Sequence, residues 1–316
     1  MSEDLTPANN NSRAVQTATL ISAIGTPLND AELLHEDGLA AHIDDQWSNG
    51  ISGLLVAGTM GLLQLLRDET YAALVRRSVE FSRGKGEILV GAGDCGFART
   101  RERILFLNTQ DVDGVVVLAP YFLTFTQPEL LDYFNALAGE SRAPLYLYDL
   151  PQRTRCKIEL PTALALSKHS NIRGIKCSDQ PTYARELRDA LGAEGDEQFR
   201  IVIAQAAMVD IFLRGGFREH LDGMFAIAPH WTVEIGRCAQ RGDWEAAAVF
   251  QRRLNALQHL VIRYGVFPTM TVVLNARGIP GTYAPRPLKP LDSATRDLLL
   301  ADAAMTDLLR DNLATV

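Results

Sequence analysis

The feature that most constrains the fold is a regular alternation of short apolar runs with longer segments of helical periodicity. The apolar runs begin roughly 22–35 residues apart, a spacing that favours strand–helix units over hairpins. Most of them lack strict alternation of polar and apolar residues, as expected of parallel strands that are covered on both faces. The predicted strands are residues 18–24, 53–58, 88–93, 114–120, 144–150, 172–178, 200–205 and 223–228.

Helices are predicted between these strands and after the last of them. Apolar residues recur there at helical spacing, and several prolines stand where a first helical turn would begin. The clearest predicted helices cover residues 69–81, 128–137, 231–240, 244–263, 269–276 and 294–309.

Eight successive strand–helix pairs predict a (β/α)8 barrel, a fold in which chemistry takes place at the carboxyl ends of the strands. A doubly wound α/β sheet is the rival, although it would more often have fewer strands. Within the 316 residues we predict a flexible N-terminal tail over 1–16, the barrel over 17–241 and a C-terminal helical region over 242–316. No linker separates a second core, so this last region is expected to pack on the barrel or at a subunit contact.

Composition excludes several classes of function. The formal net charge of -7 argues against a general nucleic-acid binder, which usually carries a basic stripe. The four cysteines are scattered without a CxxC pair, which suits a reduced protein better than a disulfide framework. The N-terminus lacks the pattern of a secretory signal, and no apolar run approaches the ~20 residues of a membrane span. We therefore expect a cytoplasmic protein without nucleic-acid or membrane partners.

One lysine and one tyrosine end two successive strand candidates. Lys176 closes an apolar run, and Tyr148 stands at a comparable position one strand upstream. A lysine in an apolar cavity is easier to deprotonate, because desolvation disfavours the ammonium form. A neutral lysine can attack a carbonyl to form a Schiff base, and a neighbouring phenol could move protons beside it. The plain alternatives are a surface lysine and a core tyrosine with one satisfied hydroxyl.

Two further segments could bind an anionic substrate. In the turn Ala57-Gly58-Thr59-Met60-Gly61, glycines would let the backbone approach a ligand and present N–H donors, and Thr59 could relay a proton. Arg153 follows the fifth strand and could bind a carboxylate with two hydrogen bonds. The alternatives are an ordinary tight turn and a solvated loop charge.

Cofactor and metal sites have little support. The segment 91–96 matches GxGxxG, but the acidic residue that a dinucleotide site needs at the end of the next strand is missing. The six histidines form no HExxH motif and have no cysteine cluster beside them. We predict an enzyme without a metal or an organic cofactor.

Several motifs, in order, resemble the family of pyruvate-dependent class I aldolases that contains dihydrodipicolinate synthase and N-acetylneuraminate lyase. The resemblance runs from about residue 18 to about residue 309. The matching segments are Gly25-Thr26-Pro27, Gly58-Thr59-Met60-Gly61-Leu62, Pro120-Tyr121-Phe122, the segment 148–154 with its Tyr148, Pro151 and Arg153, Gly174-Ile175-Lys176, and Gly223-Met224-Phe225-Ala226.

The resemblance implies a role for each matching residue. Lys176 would form the Schiff base with the keto carbon of pyruvate or another 2-oxo acid, while Tyr148 shuttles protons with help from Thr59. The turn with Met60 and Gly61 would hold the substrate carboxylate. Further contacts to the substrate would come from Arg153, Tyr121 and the backbone of Phe225. The resemblance also implies a homo-oligomer, a tetramer or a dimer.

The chain departs from the family pattern around this site. Met60 replaces a second hydroxyl residue, Leu62 replaces the usual glutamate, and Phe122 replaces a second tyrosine that completes a proton relay across a subunit interface. Residues 217–222 look like an insertion before the eighth strand. Arg153 is kept, as in members that bind an acidic second substrate.

We therefore predict a Schiff-base lyase or aldolase that cleaves, condenses or dehydrates a substrate of the 2-oxo-3-deoxy acid type. One alternative is 4-hydroxy-tetrahydrodipicolinate synthase, which condenses pyruvate with aspartate semialdehyde. The other is a catalytically silent barrel that binds a 2-oxo acid.

Overall fold

The protein folds as a closed barrel of parallel strands surrounded by helices, so the predicted (β/α)8 class is confirmed. The computed structural model describes residues 17–194 and 198–313; the predicted tail, 1–16, lies outside the described residues. In this part of the chain each strand pairs with its neighbours in sequence order, and the eighth closes on the first. The strands are β1 Thr19–Ala23, β2 Gly53–Val56, β3 Glu87–Gly91, β4 Gly114–Leu118, β5 Leu145–Asp149, β6 Ile172–Cys177, β7 Arg200–Ile203 and β8 Glu219–Asp222.

Helices follow the strands and continue after the barrel closes. Those of the barrel are α1 Glu36–Asn49, α2 Asp68–Ser82, α3 Phe97–Leu107, α4 Gln127–Glu140, α5 Pro151–Thr154, α6 Leu160–Ser167, α7 Pro181–Glu194, α8 Val209–Arg214, α9 Met224–Ile227 and α10 Pro229–Gln240. Those of the C-terminal region are α11 Trp244–Tyr264, α12 Val266–Ala276, α13 Ser293–Ala301 and α14 Ala303–Leu313. The single helix predicted over 294–309 is therefore two, which meet at Asp302, whose carboxylate accepts a hydrogen bond from the N–H of Ala304 (2.9 Å).

The eighth strand was predicted at the wrong place. Residues 223–228 were expected to be the strand, but Glu219–Asp222 form it, and Met224–Ile227 form the short helix α9. A short buried apolar run does not distinguish a strand from a helical turn. The true strand reads as polar because Glu219 binds an arginine inside the barrel and Asp222 faces a cavity at the other end. The expected insertion over 217–222 is thus mostly the strand itself.

The hydrophobic core has two parts. A large layer lies between the strands and the helices, and a smaller cluster fills the barrel with side chains such as Ile21, Leu55, Leu89 and Val202. The inner cluster continues upward to Tyr146 and then to Tyr148 on the same face of β5. The middle of the barrel is therefore filled with apolar side chains. At the carboxyl ends of the strands these give way to aromatic and polar side chains.

An arginine closes the opposite end of the barrel. Arg200, the first residue of β7, donates from Nη2 to Oε2 of Glu87 (3.1 Å) and from Nε to Oε2 of Glu219 (2.6 Å). Its Nη1 also donates to the hydroxyl of Tyr146 (2.5 Å). These carboxylates begin β3 and β8, and Tyr146 lies on β5, so one guanidinium links four strands, including its own β7.

The C-terminal helices pack against helices of the barrel and reach the carboxyl ends of its strands. Helix α11 contacts α10 and α8, and its Gln258, Val261 and Ile262 line the cavity at the carboxyl ends of the strands. No helix among the described residues is long and apolar enough to cross a membrane.

Replacing Arg200 with alanine should lower the free energy of unfolding by about 3 kcal/mol, because two largely buried carboxylates lose their partner. Denaturant unfolding would measure the change. The matched control is Arg67→Ala, which breaks an ion pair with Glu69 whose side chains are 60% and 67% exposed; it should change stability little. Equal effects of the two substitutions would contradict a structural role for Arg200.

Candidate active site

Lys176 and Tyr148 lie side by side on neighbouring strands, as the sequence predicted. Strands β5 and β6 pair in parallel, and Tyr148 is in register with Lys176. The Lys176 Nζ lies 3.7 Å from the centroid of the Tyr148 ring, and the two side chains are 5% and 6% exposed. The amine therefore faces the aromatic ring in a mostly dry environment, where an ammonium would also gain a cation–π contact.

Ser178 is a site residue that the sequence analysis missed. The Lys176 Nζ donates a hydrogen bond to the Ser178 Oγ (3.0 Å). Ser178 stands two positions beyond the lysine, and side chains two apart on an extended chain share a face. This spacing is the signal that could have found it. The hydroxyl fixes the direction of the amine and offers it a second polar neighbour.

Thr59 reaches the hydroxyl of Tyr148 from the turn after β2. The Thr59 Oγ1 and the Tyr148 hydroxyl oxygen are 3.5 Å apart, at the long limit of a hydrogen bond. The turn is held in an unusual conformation, since Ala57 and Leu62 have φ values of 51° and 64°. Such non-glycine residues in the left-handed region cost energy and often occur at functional sites.

The two glycines of this turn are needed for space rather than for their φ angles. A Cβ on Gly61 would lie 2.8 Å from the backbone nitrogen of Ala57, and one on Gly58 would lie 2.8 Å from Leu55 Cδ2. The Gly61 carbonyl accepts a hydrogen bond from Thr26 Oγ1 (2.6 Å). Gly61 is buried and is not among the described residues that line the cavity. Gly61 supports the turn through this hydrogen bond, and its predicted contact with substrate stays a prediction.

Met60 packs directly over Gly223, the residue after β8. A Cβ on Gly223 would lie 2.2 Å from Met60 Cγ and 2.8 Å from its Sδ. The long side chain at this position is therefore compatible only with the smallest residue opposite it. Met60 brings apolar surface to the wall of the cavity, where the resembling family has a hydroxyl.

These side chains surround an open cavity of about 360 Å³ at the carboxyl ends of the strands. Its described lining includes Lys176, Tyr148, Thr59 and Ser178. It also includes Asp222, the last residue of β8, which was missed because the eighth strand was misplaced. Its amide-facing oxygen Oδ1 accepts a hydrogen bond from the N–H of Met224 (2.9 Å).

The charge of Asp222 is coupled to that of Lys176. Burial raises the pKa of the Asp222 carboxyl, while the N–H of Met224 and the charge on Lys176 act in the opposite direction. The cavity thus contains a potential negative charge close to the amine. This combination of a half-buried carboxylate with a raised pKa and a buried amine is typical of functional sites.

Phe225 does not lie where the sequence predicted. It is fully buried within α9 and is not among the described residues lining the cavity. The end of β8 is instead formed by Asp222 and Gly223, because the strand lies four residues earlier than expected. Phe225 belongs to the layer between barrel and helices.

Arg153 and Tyr121 lie beside the lysine cavity rather than deep within it. Arg153 is exposed on the short helix α5 and lines both this cavity and a neighbouring one of about 410 Å³. Tyr121 lines only the neighbouring cavity. Burial, followed by the charge of Asp94, raises the pKa of Tyr121, so its hydroxyl stays protonated and can act as a donor. Phe122, next to it, is 87% exposed with φ 81°.

An ion-paired lysine holds the ends of β5 and β6. Lys157 contacts the buried carboxylate of Asp149 and lies 3.0 Å from Oδ2 of Asp179. Burial raises the pKa of Asp149, while its hydrogen bond to Lys157 opposes that shift. Asp149 follows Tyr148, and Asp179 lies three residues after Lys176. The cluster therefore ties together the ends of the two strands that carry Tyr148 and Lys176.

Metal binding finds no support in residues 17–194 and 198–313, since no group of three or more His, Cys, Asp or Glu side chains there is placed to hold an ion.

Replacing Gly223 with alanine should force the Met60 side chain into the cavity. We expect a loss of roughly 1–3 kcal/mol in the free energy of unfolding, as for other overpacked sites, together with weaker binding of 2-oxo acids. In a Met60→Ala background the same substitution should cost much less. A double-mutant cycle measures this coupling, and additive effects would contradict the contact.

Comparisons with known proteins agree with this geometry. Residues 16–305 match the model described as the Dihydrodipicolinate synthetase family. A 4-hydroxy-tetrahydrodipicolinate synthase from Exiguobacterium sp. is 27% identical over 284 residues, which cover 89% of this chain and 94% of the relative. A synthase of the same name from Xanthomonas campestris pv. campestris is 29% identical over 299 residues, covering 92% and 96%.

Solved structures share the fold. YagE, a prophage protein of the dihydrodipicolinic acid synthase family from E. coli K12 in complex with pyruvate, matches with a TM-score of 0.84 at 24% identity, covering 94% of this chain and 98% of that one. The dihydrodipicolinate synthase from Aquifex aeolicus matches with a TM-score of 0.84 at 22% identity, covering 92% and 98%. Because the family model spans nearly the whole chain, the protein belongs to the dihydrodipicolinate synthetase family of pyruvate-dependent Schiff-base lyases and synthases, and the predicted enzyme class is confirmed.

Proposed function

We propose that Lys176 forms a Schiff base with the keto carbon of pyruvate or a longer 2-oxo acid, and that a bond at the adjacent carbon is then made or broken. The observation that carries this proposal is the buried Lys176 Nζ, 3.7 Å from the ring centroid of Tyr148 in an open cavity. The chemistry includes aldol cleavage or condensation and dehydration of 2-oxo-3-deoxy acids.

The first half of the reaction forms an imine. The neutral amine attacks the keto carbon, the carbonyl oxygen leaves as water, and a protonated imine remains on Lys176. Proton transfers to and from the departing oxygen need a group that can both donate and accept. The Tyr148 hydroxyl, with Thr59 Oγ1 3.5 Å away, fits this role.

The second half uses the imine as an electron sink. Loss of a proton from C3, or cleavage of the C3–C4 bond, leaves its electron pair in an enamine. In cleavage, the proton of the C4 hydroxyl passes to a base and an aldehyde departs. Protonation at C3 and addition of water then release the 2-oxo acid and restore the amine. Tyr148 is the residue best placed to serve each proton transfer.

The substrate carboxylate is assigned to the turn after β2. The Thr59 hydroxyl and the backbone N–H groups of Thr59 and Met60 are the donors there, and the turn is held by strained residues on either side. Arg153 at the mouth adds positive charge. Met60 itself supplies no polar side-chain contact, so binding of the carboxylate depends more on the backbone than in the resembling family.

Asp222 is proposed to stabilise the positive charge of the imine. The protonated imine carries a positive charge until its electrons are used to form the neutral enamine or until it is hydrolysed, whereas the free amine can become neutral. A carboxylate in the same cavity favours the cationic intermediate. This role distinguishes Asp222 from the proton carriers Tyr148 and Thr59.

Condensation of pyruvate with aspartate semialdehyde is the second candidate. The curated relatives with the name 4-hydroxy-tetrahydrodipicolinate synthase and the presence of Arg153 favour it, while Met60, Leu62 and Phe122 depart from the pattern. A coupled assay with aspartate semialdehyde distinguishes the two candidates. Turnover comparable to that of a known synthase would show that the second candidate, and not cleavage or dehydration of a 2-oxo-3-deoxy acid, is the function.

We also infer a homo-oligomer, a dimer or a tetramer, active in the cytoplasm. Two adjacent apolar residues, Phe122 and Leu123, are 87% and 62% exposed near the cavities, and such surface is commonly covered by another chain. Analytical ultracentrifugation tests this: a monomer at micromolar concentration would contradict it.

In deuterated water the enzyme should exchange the methyl protons of pyruvate, because the enamine is reprotonated from solvent. Lys176→Arg should abolish the exchange, and Tyr148→Phe should slow it by roughly 10²–10⁴-fold. Proton NMR of pyruvate measures the rates without any second substrate. The control is Lys85→Arg, at a lysine whose side chain is 43% exposed.

Two results would contradict the proposal. Exchange by Lys176→Arg at the wild-type rate would remove the lysine from the mechanism. No exchange by the wild type, with pyruvate or with longer 2-oxo acids, would favour the catalytically silent barrel.

Asp222→Asn should still form the imine but turn over more slowly, by on the order of ten- to a hundredfold, since tenfold corresponds to about 1.4 kcal/mol of lost charge stabilisation. Because the pKa of Asp222 is raised, the wild-type rate should fall with decreasing pH at a higher pH than an ordinary aspartate would cause. This fall in rate at acidic pH should disappear in Asp222→Asn. It should persist in the control Asp189→Asn, where the carboxylate is 68% exposed. An unchanged fall in rate in Asp222→Asn would exclude Asp222.

A further inference from the structure

A second cavity lies directly against the one that contains Lys176. Its volume is about 410 Å³, and the two share Thr59, Met60 and Arg153 as common walls, together with Leu150 and Val266. We call it the distal cavity. A ligand attached to Lys176 can therefore extend past Met60 and Arg153 into a separate space.

The distal cavity is lined mainly by apolar side chains. Its apolar lining includes Leu62, Leu65, Leu118 and Phe267, and its polar lining includes Gln64, Tyr121 and Thr154. Among the described lining residues, Arg153 is the charged one, and it stands at the boundary with the lysine cavity. Leu62 occupies the position of the family's glutamate, so a carboxylate that would have made this wall polar is absent.

We propose that the part of the substrate beyond C4 is apolar, an aromatic ring or a branched alkyl group, and that it binds in the distal cavity. This inference rests on the proposed Schiff-base function and names its substrate class. The substrates are 4-hydroxy-2-oxo acids with an apolar substituent at C4, or pyruvate together with the corresponding aldehyde.

Size and polarity both favour this class. An apolar cavity of about 150 Å³ already holds a benzene molecule, so the distal cavity accommodates a ring with room for substituents. A polyhydroxylated chain or a carboxylate would lose hydration against the apolar side chains that make up most of this lining. The polar groups that could replace it are limited to Arg153 and Thr59 at the boundary, together with Gln64, Tyr121 and Thr154. An apolar group instead gains free energy in proportion to the apolar area that it removes from water.

Aldol cleavage of such a substrate uses only Lys176, a proton carrier and one water molecule. In cleavage, the C4 hydroxyl proton goes to the base, the C3–C4 bond breaks, and its electron pair enters the enamine on Lys176. The apolar aldehyde leaves from the distal cavity. The enamine takes a proton at C3, and one water hydrolyses the imine to release pyruvate.

The test compares aldehydes as acceptors for pyruvate with the full-length enzyme. We expect kcat/KM for benzaldehyde and 3-methylbutanal to exceed that for glyceraldehyde and aspartate semialdehyde by about tenfold or more. Preference for either polar aldehyde would overturn the inference. Methyl exchange of pyruvate, measured in parallel, separates the two levels: exchange without apolar preference refutes only this inference, whereas no exchange refutes the Schiff-base function with it.

Leu65→Asp places a charge on the wall of the distal cavity at a residue that is 51% exposed. The ratio of kcat/KM for apolar over polar aldehydes should fall at least about tenfold. Leu105→Asp is the matched control, since Leu105 is 39% exposed and lies on α3 away from both cavities; its ratio should equal that of the wild type.

Two outcomes for the variant would overturn the proposal. One is an unchanged ratio in folded Leu65→Asp. The other is a changed oligomeric state with the same preference, which would mean that a neighbouring chain fills the distal cavity. If Leu65→Asp does not fold, the wild-type aldehyde series decides.

Discussion

The chemistry of the site depends on the parallel register between β5 and β6. Tyr148 pairs with Lys176 in that ladder, which puts the amine against the aromatic ring and buries both. A shift of β6 by one residue would turn Lys176 toward the helices and away from Tyr148. The ion pairs of Lys157 with Asp149 and Asp179 hold together the carboxyl ends of these two strands.

Other walls of the cavity come from the turn after β2 and from the end of β8. The strained turn after β2 brings Thr59 to the Tyr148 hydroxyl, and Met60 packs over Gly223 at the end of β8. Beyond Met60 lies the apolar distal cavity. Met60 and Leu62, two of the departures from the family pattern, thus lie on the side of the distal cavity, whereas Lys176, Tyr148 and Thr59 match the pattern. Under the proposed function, this division lets the scaffold keep imine chemistry while its second substrate changes.

The sequence predicted the barrel, seven of the strand positions and the juxtaposition of Tyr148 with Lys176. Parallel buried strands appear in a sequence as apolar runs, so the residues at their carboxyl ends can be identified. It misplaced β8, because that strand begins and ends with acidic residues. Glu219 forms an ion pair with Arg200, and Asp222 lines the cavity. Because of that error the sequence analysis did not identify Asp222 as a residue of the cavity, and it named Phe225 instead. The strain at Ala57 and Leu62, and the close approach that requires Gly61, come from tertiary packing and leave no mark in composition.

Borohydride reduction in the presence of pyruvate, followed by mass analysis of proteolytic peptides, tests the central claim most directly. Reduction traps the imine as a stable secondary amine, so one pyruvate-derived adduct should appear on the peptide that contains Lys176. Wild type without pyruvate, and Lys176→Arg with pyruvate, should give none. An adduct on another lysine, or no adduct with pyruvate or any longer 2-oxo acid, would contradict Schiff-base catalysis at Lys176.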